Sequence, residues 1–147
     1  MKSVHCPIDT SLNFTQARKL QQTGESYARE ENSPLLLAVL VNTDAEISLR
    51  EMKLTKAANR SAEAIALLTD GWSYNSEATL PSLEEIGRSE FKPEVLKFLA
   101  IRADILHKAG DVAGAMEVIR LTDQLADLLR LNFNGQVSNL FWRQEVL

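Results

Sequence analysis

Apolar residues recur at three- and four-residue spacings along most of this chain, most clearly between residues 93 and 131. Val95, Phe98, Leu99, Ile101, Ala103, Ile105 and Leu106 make one run, and Val112, Ala115, Met116, Val118, Ile119, Leu121, Leu125, Leu128 and Leu129 make the next. That period belongs to helices rather than strands. Gly110-Asp111 joins the two runs, so the segment predicts an αα-hairpin.

The remaining pattern is also helical. Thr10 or Ser11 can cap a first helix reaching about Glu31, with an intermittent apolar face of Leu12, Ala17, Leu20, Tyr27 and Ala28. Its polar character suits an outer helix, and Gly24 inside it costs roughly 1 kcal/mol against Ala. Ser33-Pro34 is a restart, with Ser33 as N-cap and Pro34 as first helical residue. Pro34 to Val41 then reads as a short buried helix. A strand is the alternative for LLLAVLV, but no second convincing strand exists to satisfy its backbone groups.

Thr43 and Glu46 have capping-box spacing. From there helix is expected to about Asp70, as one piece or as two joined near residues 48–53. Ala57, Ala58, Ala62 and Ala66 would allow close helix approach. Gly71 to Thr79 reads as a loop. Leu80 to Ile86 suggests a short helix capped by Thr79 or Ser82, and Phe91 is placed to staple the entry to the helix beginning at Pro93. Asn132 to Gly135 is expected to break the pattern, leaving Gln136 to Leu147 as a last helix. The fold expected is all-α: an irregular helical bundle or a short helical array of about six to seven helices. A flexible N-terminal arm, residues 1–10, would precede a single all-helical domain, residues 11–147.

Composition narrows the function. The chain has 147 residues, a formal charge of -4 and a pI near 5.2. An acidic balance gives no general electrostatic grip on nucleic acid or on anionic membranes. The longest apolar run, Leu35 to Val41, is far too short to span a bilayer. No apolar run follows Lys2, so the start does not read as a signal peptide. Cys6 is the only cysteine, which excludes an intramolecular disulfide and fits a reducing, cytoplasmic setting.

Candidate chemistry is sparse. His5-Cys6 is a poor ligand set with only His107 elsewhere, and no base can be placed beside Cys6. The glycines are scattered, so no phosphate loop forms. Asp123 and Asp127 share a helix face but lack a matching Glu and His pair on a second helix. His107 sits in a last helical turn, where a cationic side chain suits the helix end. No catalytic, metal or cofactor residue is assigned. Arg50, Lys53, Lys56 and Arg60 are the best candidates for contacting nucleic acid, but Asp44, Glu46, Glu51 and Glu63 surround them, so a solvated amphipathic face is expected instead. Trp72 and Tyr74 in the loop, with Phe141 and Trp142 near the C-terminus, are the candidate exposed anchors for a partner, since aromatic residues are enriched at interface hot spots.

Residues 99–124, LAIRADILHKAGDVAGAMEVIRLTDQ, resemble one tetratricopeptide-type unit. Ala103, Gly110-Asp111 and Ala115 stand at suitable relative spacings, and Leu99, Leu106 and Ile119 fall where that pattern has apolar side chains. The chain departs from it in lacking the usual Trp, in placing Arg102 at an apolar position and in having Thr122 where alanine is usual. The resemblance implies a scaffold or chaperone-like domain that receives a peptide or partner helix. Together these readings lead to the expectation of a non-enzymatic interaction module (adaptor, chaperone-like or inhibitor) that binds another protein. A homodimer through the apolar C-terminus is compatible with it. The alternatives are a helical regulator contacting nucleic acid and an enzyme whose site is not recognisable in the sequence.

Overall fold

A computed structural model describes the backbone of residues 10–70, 72–74 and 79–146, with side chains over residues 14–70, 72–74 and 79–131. Among these residues the protein is an all-α bundle of six helices without a strand. They are α1 (Thr10–Glu30), α2 (Pro34–Arg50), α3 (Leu54–Leu68), α4 (Leu83–Gly87), α5 (Lys92–Lys108) and α6 (Val112–Val146). Helix α1 packs on α2, α2 on α3, α3 on α5 and α5 on α6, while the short α4 touches both α5 and α6. The arm expected at residues 1–10 lies outside the described residues, apart from Thr10, which begins α1.

Three helix joints use one local device. Asn32, Met52 and Gly110 adopt the left-handed conformation, with φ of 52°, 60° and 85°. In each case the next amide donates back to a carbonyl of the last turn: Ser33 to Ala28, Lys53 to Ser48 and Asp111 to Leu106, at 3.2, 2.9 and 2.9 Å. This pairing satisfies carbonyls that the helix end would otherwise leave open. The donating residue then starts the next helix. The Ser33 hydroxyl accepts from the Leu36 amide at 3.2 Å, and Asp111 Oδ1 accepts from the Gly114 amide at 2.9 Å. Lys53 holds the same position for α3 without a side-chain cap. The Ser82 cap of α4 is a complete capping box with Glu85.

Two expected breaks are absent. Helix α2 continues through Thr43, whose hydroxyl donates to the Val39 carbonyl one turn back at 2.9 Å. Thr43 thus bonds within the helix instead of capping a new one, a competing use open to any Thr. The joint falls at Glu51 to Lys53, inside the window the pattern allowed. Helix α6 also continues through Asn132 to Gly135. An interior glycine costs only about 1 kcal/mol, which weakens a helix without ending it. At 1.5 Å per residue α6 is about 52 Å long, roughly twice the length of α5.

The core sits where α2, α3, α5 and α6 converge. Val41, Ile65, Ile86, Val95, Leu99, Val118 and Leu125 are all fully enclosed there. A smaller cluster, Ala45, Leu49, Ala57 and Ile105, fills the far end. Ala57 and Ala62 are fully buried on α3, where small side chains let α2 and α5 approach. Gly24 of α1 serves the same end, because a Cβ there would stand 3.0 Å from Leu40 Cδ2. Ser89 fastens the loop before α5 to α3: its hydroxyl donates to the Leu68 carbonyl at 2.5 Å and accepts from the Phe91 amide at 3.1 Å. Among the described residues no helix is long and apolar enough to cross a membrane.

Candidate functional site

The turn at Gly110 brings α6 back along α5, and Tyr74 and Leu80 approach the pair from the stretch between α3 and α4. Between them lies a cleft of about 300 Å³ lined by Tyr74, Leu80, Arg102, Asp111, Gly114 and Glu117, among others. Arg102 is only 2% exposed. Its Nη1 donates to the Ala58 carbonyl at 3.0 Å, and its guanidinium carbon lies 5.2 Å from the centre of the Tyr74 ring. A cation held over an aromatic face at this distance is electrostatically favourable. Its Nε has no hydrogen-bond partner, and among the described residues no carboxylate lies within ion-pair distance of it. Burial lowers the pKa of the guanidinium, with Tyr74 and Asp111 acting in the opposite direction.

On a different side of the helix from the cleft, α6 carries an apolar row at i, i+4 and i+7. Val112, Met116 and Ile119 are 61%, 51% and 44% exposed. Ala115 and Val118, in the same turns, are buried in the core. The helix is therefore apolar on its outer side as well as its core side over these turns. A surface helix ordinarily turns charged and polar residues outward.

A second concentration of charged groups binds α1 to α2 and α3. Arg18 donates to Glu51 through Nε at 2.8 Å, to Asp44 through Nη1 at 2.5 Å and to Ser48 through Nη2 at 2.9 Å; Nη2 also pairs with Glu51. Arg60 spreads its three nitrogens over Asp44, Glu63 and Glu25 at 2.6, 2.7 and 2.6 Å. Burial pushes the Glu25 carboxyl up, but hydrogen bonds from Arg60, Arg29 and Gln21 outweigh it and bring the pKa down to about 2. Glu51 is also lowered, chiefly by its bonds from Arg18. The donors and acceptors are matched within this cluster, so it reads as a structural fastening.

The residues singled out in the sequence are dispersed. Trp72 is 6% exposed and belongs to the core, which corrects its expected place as an exposed anchor. Its indole Nε1 has no partner, and its ring meets Tyr74 edge-on with centroids 6.4 Å apart. Burial of the larger ring removes more apolar surface from water, whereas Tyr74 keeps its polar end outside. Tyr74 is 45% exposed and lies at the cleft. Phe141 and Trp142 fall on the α6 backbone, but their side chains lie outside the described residues, as do His5 and Cys6. His107, Asp123 and Asp127 are exposed.

The basic run is not a free face. Arg60 is held by three carboxylates, Lys53 pairs with Glu51 at 3.4 Å and Lys56 reaches Asp44 at 4.0 Å. Arg102 is the residue that sequence reasoning did not place in a site. Its signal was the charge at an apolar position of the hairpin pattern. Among the described residues, no group of three His, Cys, Asp or Glu side chains is arranged to hold a metal ion.

Comparison with known proteins gives this chain no relatives to lean on: no family model, curated protein or solved structure matches it.

Proposed function

We propose that this chain is a non-enzymatic helical module that binds a partner protein or peptide, as an adaptor, a chaperone-like protein or an inhibitor. The observation that carries this reading is the exposed apolar row Val112, Met116 and Ile119 along α6. An exposed apolar strip on a helix is a surface that a protein or helix ligand can cover, with the apolar contacts supplying affinity. The resemblance of residues 99–124 to a tetratricopeptide-type unit, within the α5–α6 hairpin, points the same way. The pairing of Lys53, Lys56 and Arg60 with carboxylates argues against the nucleic-acid alternative. The lone Cys6 fits work in the reducing cytoplasm.

The test is capture from the source cell by the immobilised full chain, compared with a Met116→Asp/Ile119→Asp variant. Both side chains are exposed, so the variant should keep its helical circular dichroism and melting temperature. A partner retained by the parent chain and lost by the folded variant supports the reading. Equal capture by both refutes the row as the binding surface.

A further inference from the structure

We infer that the Arg102 cleft is a receptor for a single carboxylate, presented by an acidic side chain of the bound partner. This inference rests on the partner-binding reading for its occupant, but the site itself is argued from the cleft alone. Arg102 is almost wholly buried, its Nε is unpartnered, and no described carboxylate pairs with it. A buried cation without a counter-ion is a costly arrangement. The protein relieves it with the Ala58 carbonyl, with Tyr74 and at longer range with Asp111, none of which pairs with it directly as a counter-ion. The contrast with Arg18 and Arg60 is informative, because each of those engages two or more carboxylates.

The class of anion follows from the other lining groups. The planar fork of a guanidinium matches a carboxylate, which can accept two parallel N–H bonds. Asp111 and Glu117 also line the cleft. Their negative charges oppose a phosphate dianion about twice as strongly as a carboxylate monoanion, since the Coulomb energy scales with charge.

The experiment is a titration of the isotope-labelled full chain with blocked glutamate (N-acetylglutamate α-amide), blocked glutamine and inorganic phosphate at millimolar concentrations. The signals read are the Arg102 Nε–H and the backbone amide of Gly114, which lines the cleft. The expected result is a saturable shift of both with blocked glutamate, none with blocked glutamine and a weaker response to phosphate. In Arg102→Met the Gly114 shift should vanish. In Glu117→Gln, an exposed change that spares the fold, blocked glutamate should bind about twofold more tightly, as expected for removal of one solvent-screened repulsion.

An unmoved Arg102 Nε–H, an equal response to glutamine, or an undiminished Gly114 shift in Arg102→Met overturns the carboxylate site. A response to phosphate stronger than to glutamate overturns the assigned class. Because the probe needs no partner, its failure leaves the row at Met116 and Ile119 to its own capture test. Failure of that test with a responding probe removes the partner but keeps the site.

Discussion

Arg18→Ala is expected to release α1 from the bundle while leaving α5 and α6 in place. The reason is that the described side chains of α1 give it little apolar grip: Leu20 and Tyr27 are exposed, and among the described residues it buries fully only Gln21 and Ala28. Its grip is instead concentrated in charged groups. Arg18 meets Asp44, Ser48 and Glu51, which stand at i, i+4 and i+7 and so form one stripe along α2 and its cap. An exposed ion pair contributes about 0.2–1 kcal/mol, and breaking a deeply buried one costs about 3–5 kcal/mol. The side chains of Arg18 and Asp44 are 16% and 6% exposed, which places this contact between those limits. A loss of about 2–3 kcal/mol for Arg18→Ala follows.

Native-state hydrogen exchange with peptide resolution is the appropriate assay, because it reads each helix separately. The α1 amides should lose protection by the equivalent of that free energy, while the α5 and α6 amides keep theirs. Arg18→Lys should recover only part of the loss, since an ammonium keeps the charge but not the fork that spans three acceptors. Unchanged α1 exchange in Arg18→Ala would refute the ionic fastening. An equal loss in all six helices would refute the idea that α1 opens by itself.

Acid should act on the same joint. The Glu25 carboxyl has a pKa of about 2 in the folded chain against an ordinary value of 4.5, so its contribution is fully present above 4.5 and is lost as the pH falls from there towards 2. With allowance for solvent at the cluster's edge this amounts to about 1–3 kcal/mol, and exchange in α1 should rise across that window before α5 and α6 respond. Met52→Gly should raise stability by about 0.5–1 kcal/mol, because the left-handed strain it removes is larger than the chain entropy glycine adds. Denaturant melts of the full chain would show it as a higher midpoint with an unchanged slope. Lys53→Ser should add a further gain of about 1 kcal/mol by giving α3 the hydroxyl cap it lacks, and no change in the melt would mean that the serine does not reach the α3 amides.

The parts of the fold that were legible in the sequence are those decided by chemistry within a few residues. Ser33-Pro34, Ser82 with Glu85, and Gly110-Asp111 each carry their own hydrogen-bond solution, and each became a helix boundary. Met52 did not announce its joint, because nothing in a methionine favours a left-handed backbone and the surrounding packing imposes it. Thr43 could cap or bond backward with the same hydroxyl, so its local pattern had two answers.

The candidate site divides in the same way. That Tyr74 and Trp72 would leave the loop in opposite directions depends on which ring the core accommodates. The ion cluster joins residues up to 35 positions apart, so the run from Arg50 to Arg60 read as a solvated face when Arg60 is in fact enclosed among acids. Arg102 was visible as a charge in an apolar row. What it lines was not, because the cleft is made by a loop and a second helix.

Arg102 also separates stability from binding in a way the other arginines do not. Removing Arg18 leaves Asp44 and Glu51 short of donors, so the penalty includes acceptors left partly unsatisfied. Removing Arg102 leaves almost nothing behind. Its bonded partner, the Ala58 carbonyl, lies within α3, where the helix supplies that oxygen with its own amide donor. A buried charge without a counter-ion carries a desolvation cost of several kcal/mol, which an apolar side chain of similar length does not. Arg102→Met is therefore expected to melt at or above the parent's midpoint in a denaturant titration. A marked loss of stability would mean that the contacts with Ala58 and Tyr74 fully repay the burial of the charge, and the physical case for an anion above Arg102 would lose its foundation. If instead the variant is as stable as the parent or more so, the native arginine is not explained by folding. A side chain that the fold does better without is one whose reason lies in what binds over it.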